Sequence, residues 1–145
     1  MTGTIVCGVT DSPDGRAAAQ LAGALGRRLG LRLVLVHVLN GVHECTEEVT
    51  RALEAIAREF VHAADVELRV EVGGRAERLA RIAAEEGADL IVLGSRPHGL
   101  SGRLLSGTLA RDLEAATPVP VLVAPPQTRR RTEQRLAFVE TSATR

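Results

Sequence analysis

The chain contains no tryptophan and no tyrosine, and its two phenylalanines, Phe60 and Phe138, stand far apart. Proteins that bind single-stranded nucleic acid stack bases on clustered aromatic side chains, so that mode of recognition is closed. Lysine is absent as well: all 18 basic residues are arginine. Every mechanism that depends on a lysine ammonium is thereby excluded, including a Walker A nucleotide site, a Schiff base and the lysine of phosphoacceptor receiver domains. The 18 basic residues are balanced by 18 acidic ones. No net field draws the chain to nucleic acid or to an anionic membrane, and neither is expected as a partner.

Cysteine is also scarce. Cys7 and Cys45 have no CxxC spacing and imply no disulfide framework. His43-Glu44-Cys45 matches no zinc signature, and no metal site is expected. No apolar run approaches the ~20 residues of a membrane span. The N-terminus runs straight into a strand pattern with no signal peptide, which makes the cytoplasm the expected location.

What is present fits one domain of an ordinary globular protein: 145 residues, 45% hydrophobic and 25% charged. Thr4 to Thr10 and Leu31 to Val38 are apolar runs that read as buried strands. Between them, Ala18, Leu21, Leu25 and Leu29 recur at helical spacing, closed by Gly30. Gly41 to Thr46 reads as loop, after which Val49, Leu53, Ile56, Ala57 and Phe60 mark a second helical face. Asp65 to Val72 alternates apolar and charged residues, the signature of a strand with one face toward water or at a sheet edge. A third helix runs from Arg75 to Glu86, a fourth strand from Asp89 to Gly94 and a fourth helix from about Leu104 to Ala116. Thr117 to Pro125 forms a last strand, which Pro120 confines to an edge. An apolar edge invites pairing, so a homodimer through Val119 to Val123 is expected. The domain is expected over residues 1–126, followed by a C-terminal tail over 127–145.

Five strands alternating with helices predict an α/β fold, a parallel sheet with helices on both faces. Ligands of such sheets bind at the carboxyl ends of the strands where strand order reverses, which selects the loops after the first and fourth strands. The second of these, Gly94 to Thr108, is rich in glycine and hydroxyl residues. Glycines let backbone N–H groups approach an anion, and the following helix aims its unpaired amides and positive dipole end at the same point.

Several segments together resemble the universal stress protein family. They are Asp89-Leu-Ile-Val-Leu-Gly94-Ser-Arg, Gly99-Leu-Ser, Leu104-Leu-Ser-Gly107-Thr108 and Pro118-Val-Pro-Val-Leu-Val123, with Ser12-Pro13, His37-Val38 and the Gly73 turn. The similarity spans residues 4 to 124. It implies a Rossmann-like sheet of the adenine nucleotide alpha hydrolase-like type, in strand order 3-2-1-4-5. It further implies an adenine-nucleotide-binding regulator of the stress response, with ATP, with or without Mg2+, as ligand. ATP-binding members are similar in carrying Gly-x-x-Gly, nine residues, then Gly-Ser or Gly-Thr, and an Asp ending the first strand. Gly94, Gly107 and Thr108 keep that frame, whereas Pro97 stands at the second glycine and Thr10 at the aspartate, with Asp11 displaced by one.

The cofactor-binding candidates are therefore Thr10, Asp11, Ser12, Val38, Leu93, Gly94, Arg96, Gly99, Gly107, Thr108 and Leu109. Val38 is similar to the family's adenine-contacting valine, and Leu93 to the residue before its first glycine. Pro97 removes a backbone donor and pushes Arg96 toward extended conformations; Gly99 and Gly102 offer amides in compensation, and Arg96, His98 and Arg103 offer charge. Thr108 and Ser106 have a plainer role open to them as helix caps, as do Asp11 and Asp14 before the first helix. No catalytic residues emerge: there is no nucleophile elbow and no carboxylate pair at a recognisable spacing. The reading is a binding protein, at most a slow ATPase, with a family member that works only as a dimeric interaction module without nucleotide as the alternative. An ATP-pyrophosphatase would need a glycine-rich loop that Thr10-Asp11-Ser12-Pro13 lacks.

Overall fold

The computed structural model describes residues 3–9, 13–39, 45–60, 65–94 and 105–125, with the backbone alone at 13–14 and 105–108. In chain order these form β1 (Thr4–Gly8), α1 (Pro13–Leu29), β2 (Arg32–Leu39), α2 (Thr46–Phe60), β3 (Val66–Val72), α3 (Arg75–Glu85), β4 (Leu90–Gly94), α4 (Leu105–Ala116) and β5 (Val121–Ala124). The strands make one parallel sheet in the order β3-β2-β1-β4-β5. Fold class and strand order are those expected.

Each apolar run is buried because both of its faces are covered. Side chains alternate across a strand, so Ile5, Cys7, Leu33 and Leu35 face one way. There they meet Ala18, Ala19 and Ala22 of α1 and Leu53 and Ile56 of α2. Val6, Val34, Val36, Ile91 and Leu93 face the other way, onto Leu79, Ile82 and Ala83 of α3 and Leu113 of α4. The buried stripe of α1 is thus alanine, which lets the helix lie close to the sheet. Of the expected face, Ala18 is buried and Leu21 and Leu25 pack half-buried against the cluster on that side, whereas Leu29 is 62% exposed.

Helix ends follow local rules. α1 begins at Pro13, at the position where its fixed φ suits a helix and its missing N–H costs nothing. Thr46, read as loop, opens α2. Gly30 and Gly87 adopt φ of 67° and 59° just past α1 and α3. In each case the next amide reaches back to the final turn, Leu31 N–H to Gly26 O and Ala88 N–H to Ala83 O, both at 2.8 Å.

Two edge-strand details depart from the sequence reading. Pro120 lies just before β5 rather than inside it, and its carbonyl accepts from Ile91 N–H at 2.9 Å. The edge position stands all the same, with Leu122 and Val123 each 39% exposed, while Val119 packs half-buried against the core. At the opposite edge, β3 is half-buried from Val66 to Glu71 on both faces. Its charged face is covered by ion pairs. Arg32 of β2 contacts Glu67 and reaches Glu86 at 2.6 Å and Asp65 at 3.5 Å. Arg69 reaches Glu71 at 2.7 Å and Glu85 and Glu86 at 3.4 Å. The hydrogen bond to Glu86, reinforced by the neighbouring carboxylates, holds the Arg32 guanidinium above its ordinary pKa.

Candidate functional site

Strand order reverses between β1 and β4, which pair directly with Gly8 beside Leu93. A crevice at their carboxyl ends is the place where such sheets receive ligands. Val9 leaves β1 here. Its amide donates to Val36 O at 2.8 Å, and its carbonyl accepts from His37 Nδ1 at 2.8 Å. Because a carbonyl can only accept, Nδ1 carries the proton. Gly8 has no side chain for a physical reason: a Cβ there would lie 3.1 Å from Leu93 and 3.3 Å from Leu79. β4 ends at Gly94, half-buried and paired with Ala124.

Three of the candidate residues converge. Val38 and Leu93, 5% and 3% exposed, belong to one buried cluster, and Leu109 of α4 packs half-buried against it. The cluster lies on the α3 and α4 face of the sheet, with Val38 and Leu93 near the carboxyl ends of β2 and β4. Gly107 and Thr108 occupy the third and fourth positions of α4, which starts at Leu105 and therefore at the carboxyl edge of the sheet. The first-turn amides of any helix, up to its third residue, have no partner inside it, and Gly107 is the third residue of α4. Thr10, Asp11, Ser12, Arg96 and Gly99 lie outside the described residues, as do Pro97, His98 and Arg103. Asp14 falls in the first turn of α1.

A second hollow was not anticipated. It lies on the α1 and α2 side of the sheet, has a volume of about 170 Å³, and is lined by Val9, His37 and residues of α2 from Glu48 to Ile56. The signal for it was visible: His37 is the one polar side chain within the run Leu33 to Leu39. Among the described residues, no group of three or more His, Cys, Asp or Glu side chains is placed to hold a metal, and Cys45 is exposed ahead of α2. No helix among those residues is long and apolar enough to cross a membrane.

Comparison with known proteins places these features. The model of the universal stress protein family matches residues 42–125. The universal stress protein in the QAH/OAS sulfhydrylase 3′ region of Thermus aquaticus is 30% identical over 133 residues, covering 83% of this chain and 96% of that protein. Among solved structures, a universal stress protein in complex with cAMP superposes with a TM-score of 0.71 at 22% identity, covering 87% of this chain and 98% of the other. The universal stress protein of Archaeoglobus fulgidus in complex with dAMP gives a TM-score of 0.59 at 20% identity, covering 86% and 98%.

Proposed function

The chain belongs to the universal stress protein family, and on that premise we propose that it binds an adenine nucleotide, ATP with or without Mg2+, at the crevice between β1 and β4. The observation that carries this reading is the arrangement at the reversal of strand order. Gly94 ends β4 there, the first turn of α4 starts there, and Val38, Leu93 and Leu109 belong to one apolar cluster on the α3 and α4 face of the sheet. The residues fit the group. An apolar cluster suits a base, and the amide of Gly107, at the positive end of the α4 dipole, suits a phosphate. Arg96, Gly99, Thr10, Asp11, Ser12 and Thr108 complete the proposed set. Relatives of the same fold in complex with cAMP and dAMP support an adenine nucleotide as the ligand class.

The protein acts, in this reading, as a cytoplasmic stress-response regulator built on a domain of residues 1–126 with a tail over 127–145. It pairs with a second copy through the exposed β5 edge. Because the sequence carries no nucleophile elbow and no carboxylate pair at a recognisable spacing, the nucleotide is held and sensed rather than rapidly turned over.

Thermal melting in the presence of ATP and magnesium tests the proposal. Ligand at ~100 times its Kd adds about 2.7 kcal/mol. For a chain of this size that raises Tm by about 9 °C. No shift at millimolar ATP refutes it. Pro97, in place of a glycine, supports the alternative of an interaction module without nucleotide; that reading holds if Pro97→Gly creates ATP binding the parent lacks, and fails if the parent copurifies with nucleotide.

A further inference from the structure

We infer that the hollow between the carboxyl ends of β1 and β2 and the first turns of α2 is a separate binding site for a small organic cation, an ammonium group carried on an apolar body the size of a single ring. The two hollows lie on opposite faces of the sheet. His37 follows Leu33 and Leu35 in the alternation of β2 and shares their face, whereas Val38 belongs with Val34 and Val36 on the other. A nucleotide over Val38 and Leu93 therefore leaves this hollow open.

Size, wall and charge each restrict the ligand. A cavity of roughly 150 Å³ with apolar walls takes up benzene. This one measures about 170 Å³, enough for one ring or a short branched chain. Val9, Leu53 and Ile56, each 3% exposed or less, make its deep wall, and half-buried Ala52 leaves room above them. The bond from Nδ1 to the Val9 carbonyl fixes the His37 ring as a further wall. Glu48, exposed in the first turn of α2, stands at the mouth; among the described residues it is the one carboxylate of the lining, and no arginine is part of that lining. Such a mouth attracts a cation and repels an anion of the same shape.

The test titrates the full chain with 2-phenylethylamine and, in parallel, with 3-phenylpropionate, following the ligand signals by saturation-transfer NMR. The amine is expected to bind saturably and several-fold more tightly than the acid. Glu48→Gln weakens the amine by about two- to five-fold, the range of an exposed ion pair, and removes its advantage over the acid. Ala52→Leu fills the hollow while keeping a strong helix former in α2, and abolishes binding of both; Ala52→Met serves as a second, more flexible filling variant. Saturating ATP leaves the amine affinity unchanged, and this arm reads the same whether or not ATP itself binds. The inference is overturned if the amine does not bind at millimolar concentration, if the acid binds equally well, if both filling variants retain binding, or if ATP displaces the amine.

Discussion

Cys7 offers an unusually clean measurement of how burial couples to pH, because the chain has neither lysine nor tyrosine to titrate alongside it. The thiol sits in the middle of β1, 0% exposed, and burial pushes its pKa far above the ordinary value of 9.0. In the unfolded chain the same thiol ionises near 9.0. The folded state holds the proton more tightly, so the stability tied to Cys7 is fully present below pH 9 and is lost as pH rises. The loss follows RT ln(1 + 10^(pH − 9.0)), with the ordinary value as reference. It amounts to about 1.4 kcal/mol at pH 10 and about 2.7 kcal/mol at pH 11. Urea unfolding between pH 8 and pH 11, in the presence of a phosphine reductant, should show the midpoint falling with m unchanged. Cys7→Ala costs about 1–2 kcal/mol at pH 8 through the cavity it leaves, yet its stability should stay flat up to pH 11. The two proteins should then be equally stable between about pH 9.6 and pH 10.5. A wild-type curve without the decline, or a variant that keeps it, refutes the reasoning.

Leu113 is the fully buried anchor of α4, and Leu113→Ala should cost about 3 kcal/mol and lower Tm by about 10 °C. A loss below about 1 kcal/mol in urea unfolding would mean that α4 is held some other way. Glu86 bridges Arg32 and Arg69 with 18% of its side chain exposed, and Glu86→Gln should cost about 1 kcal/mol. Glu85, 51% exposed, should cost a few tenths at most when changed to Gln, and equal losses would contradict the assignment of the bridge to Glu86. Leu122→Arg places a charge on the open β5 edge and should yield monomers by sedimentation velocity with Tm nearly unchanged; a dimer that persists locates the interface elsewhere.

Much of the fold was legible because period and punctuation are local properties. Leu31 to Val38 and Asp89 to Gly94 read as strands from their apolar runs, within a residue of β2 and β4, and Gly30 and Gly87 stand just past α1 and α3 because a left-handed residue is needed there. The departures arose where a distant partner decides. Leu29 repeats the helical spacing but lies beyond the reach of the sheet, so it is exposed while alanines are buried. The alternation of β3 read as a face toward water or a sheet edge; the edge is what the sheet shows, and its charged face is half-buried because Glu85 and Glu86 meet Arg69 there. Of the candidate site, the family resemblance singled out Val38 and Leu93 as separate apolar residues, and packing placed them, with Leu109, in one cluster. His37 was visible as an isolated polar residue in a strand, but its hollow depends on how far α2 stands off the sheet.

By itself the sequence determined the alternation of strands and helices, and through it a parallel sheet whose ligand crevice lies at the carboxyl ends of its strands. It also determined the family, because Gly94 and Gly107-Thr108 with their flanking segments stand at a recognisable spacing. Tertiary structure alone decided which residues share a surface. Strand order and the right-handed crossovers bring Val38, Leu93 and Leu109 to one side of the sheet and His37, Glu48 and Ala52 to the other. The physical reason is that secondary structure follows from contacts a few residues apart, whereas a pocket is formed by residues that meet only after the chain has crossed the sheet.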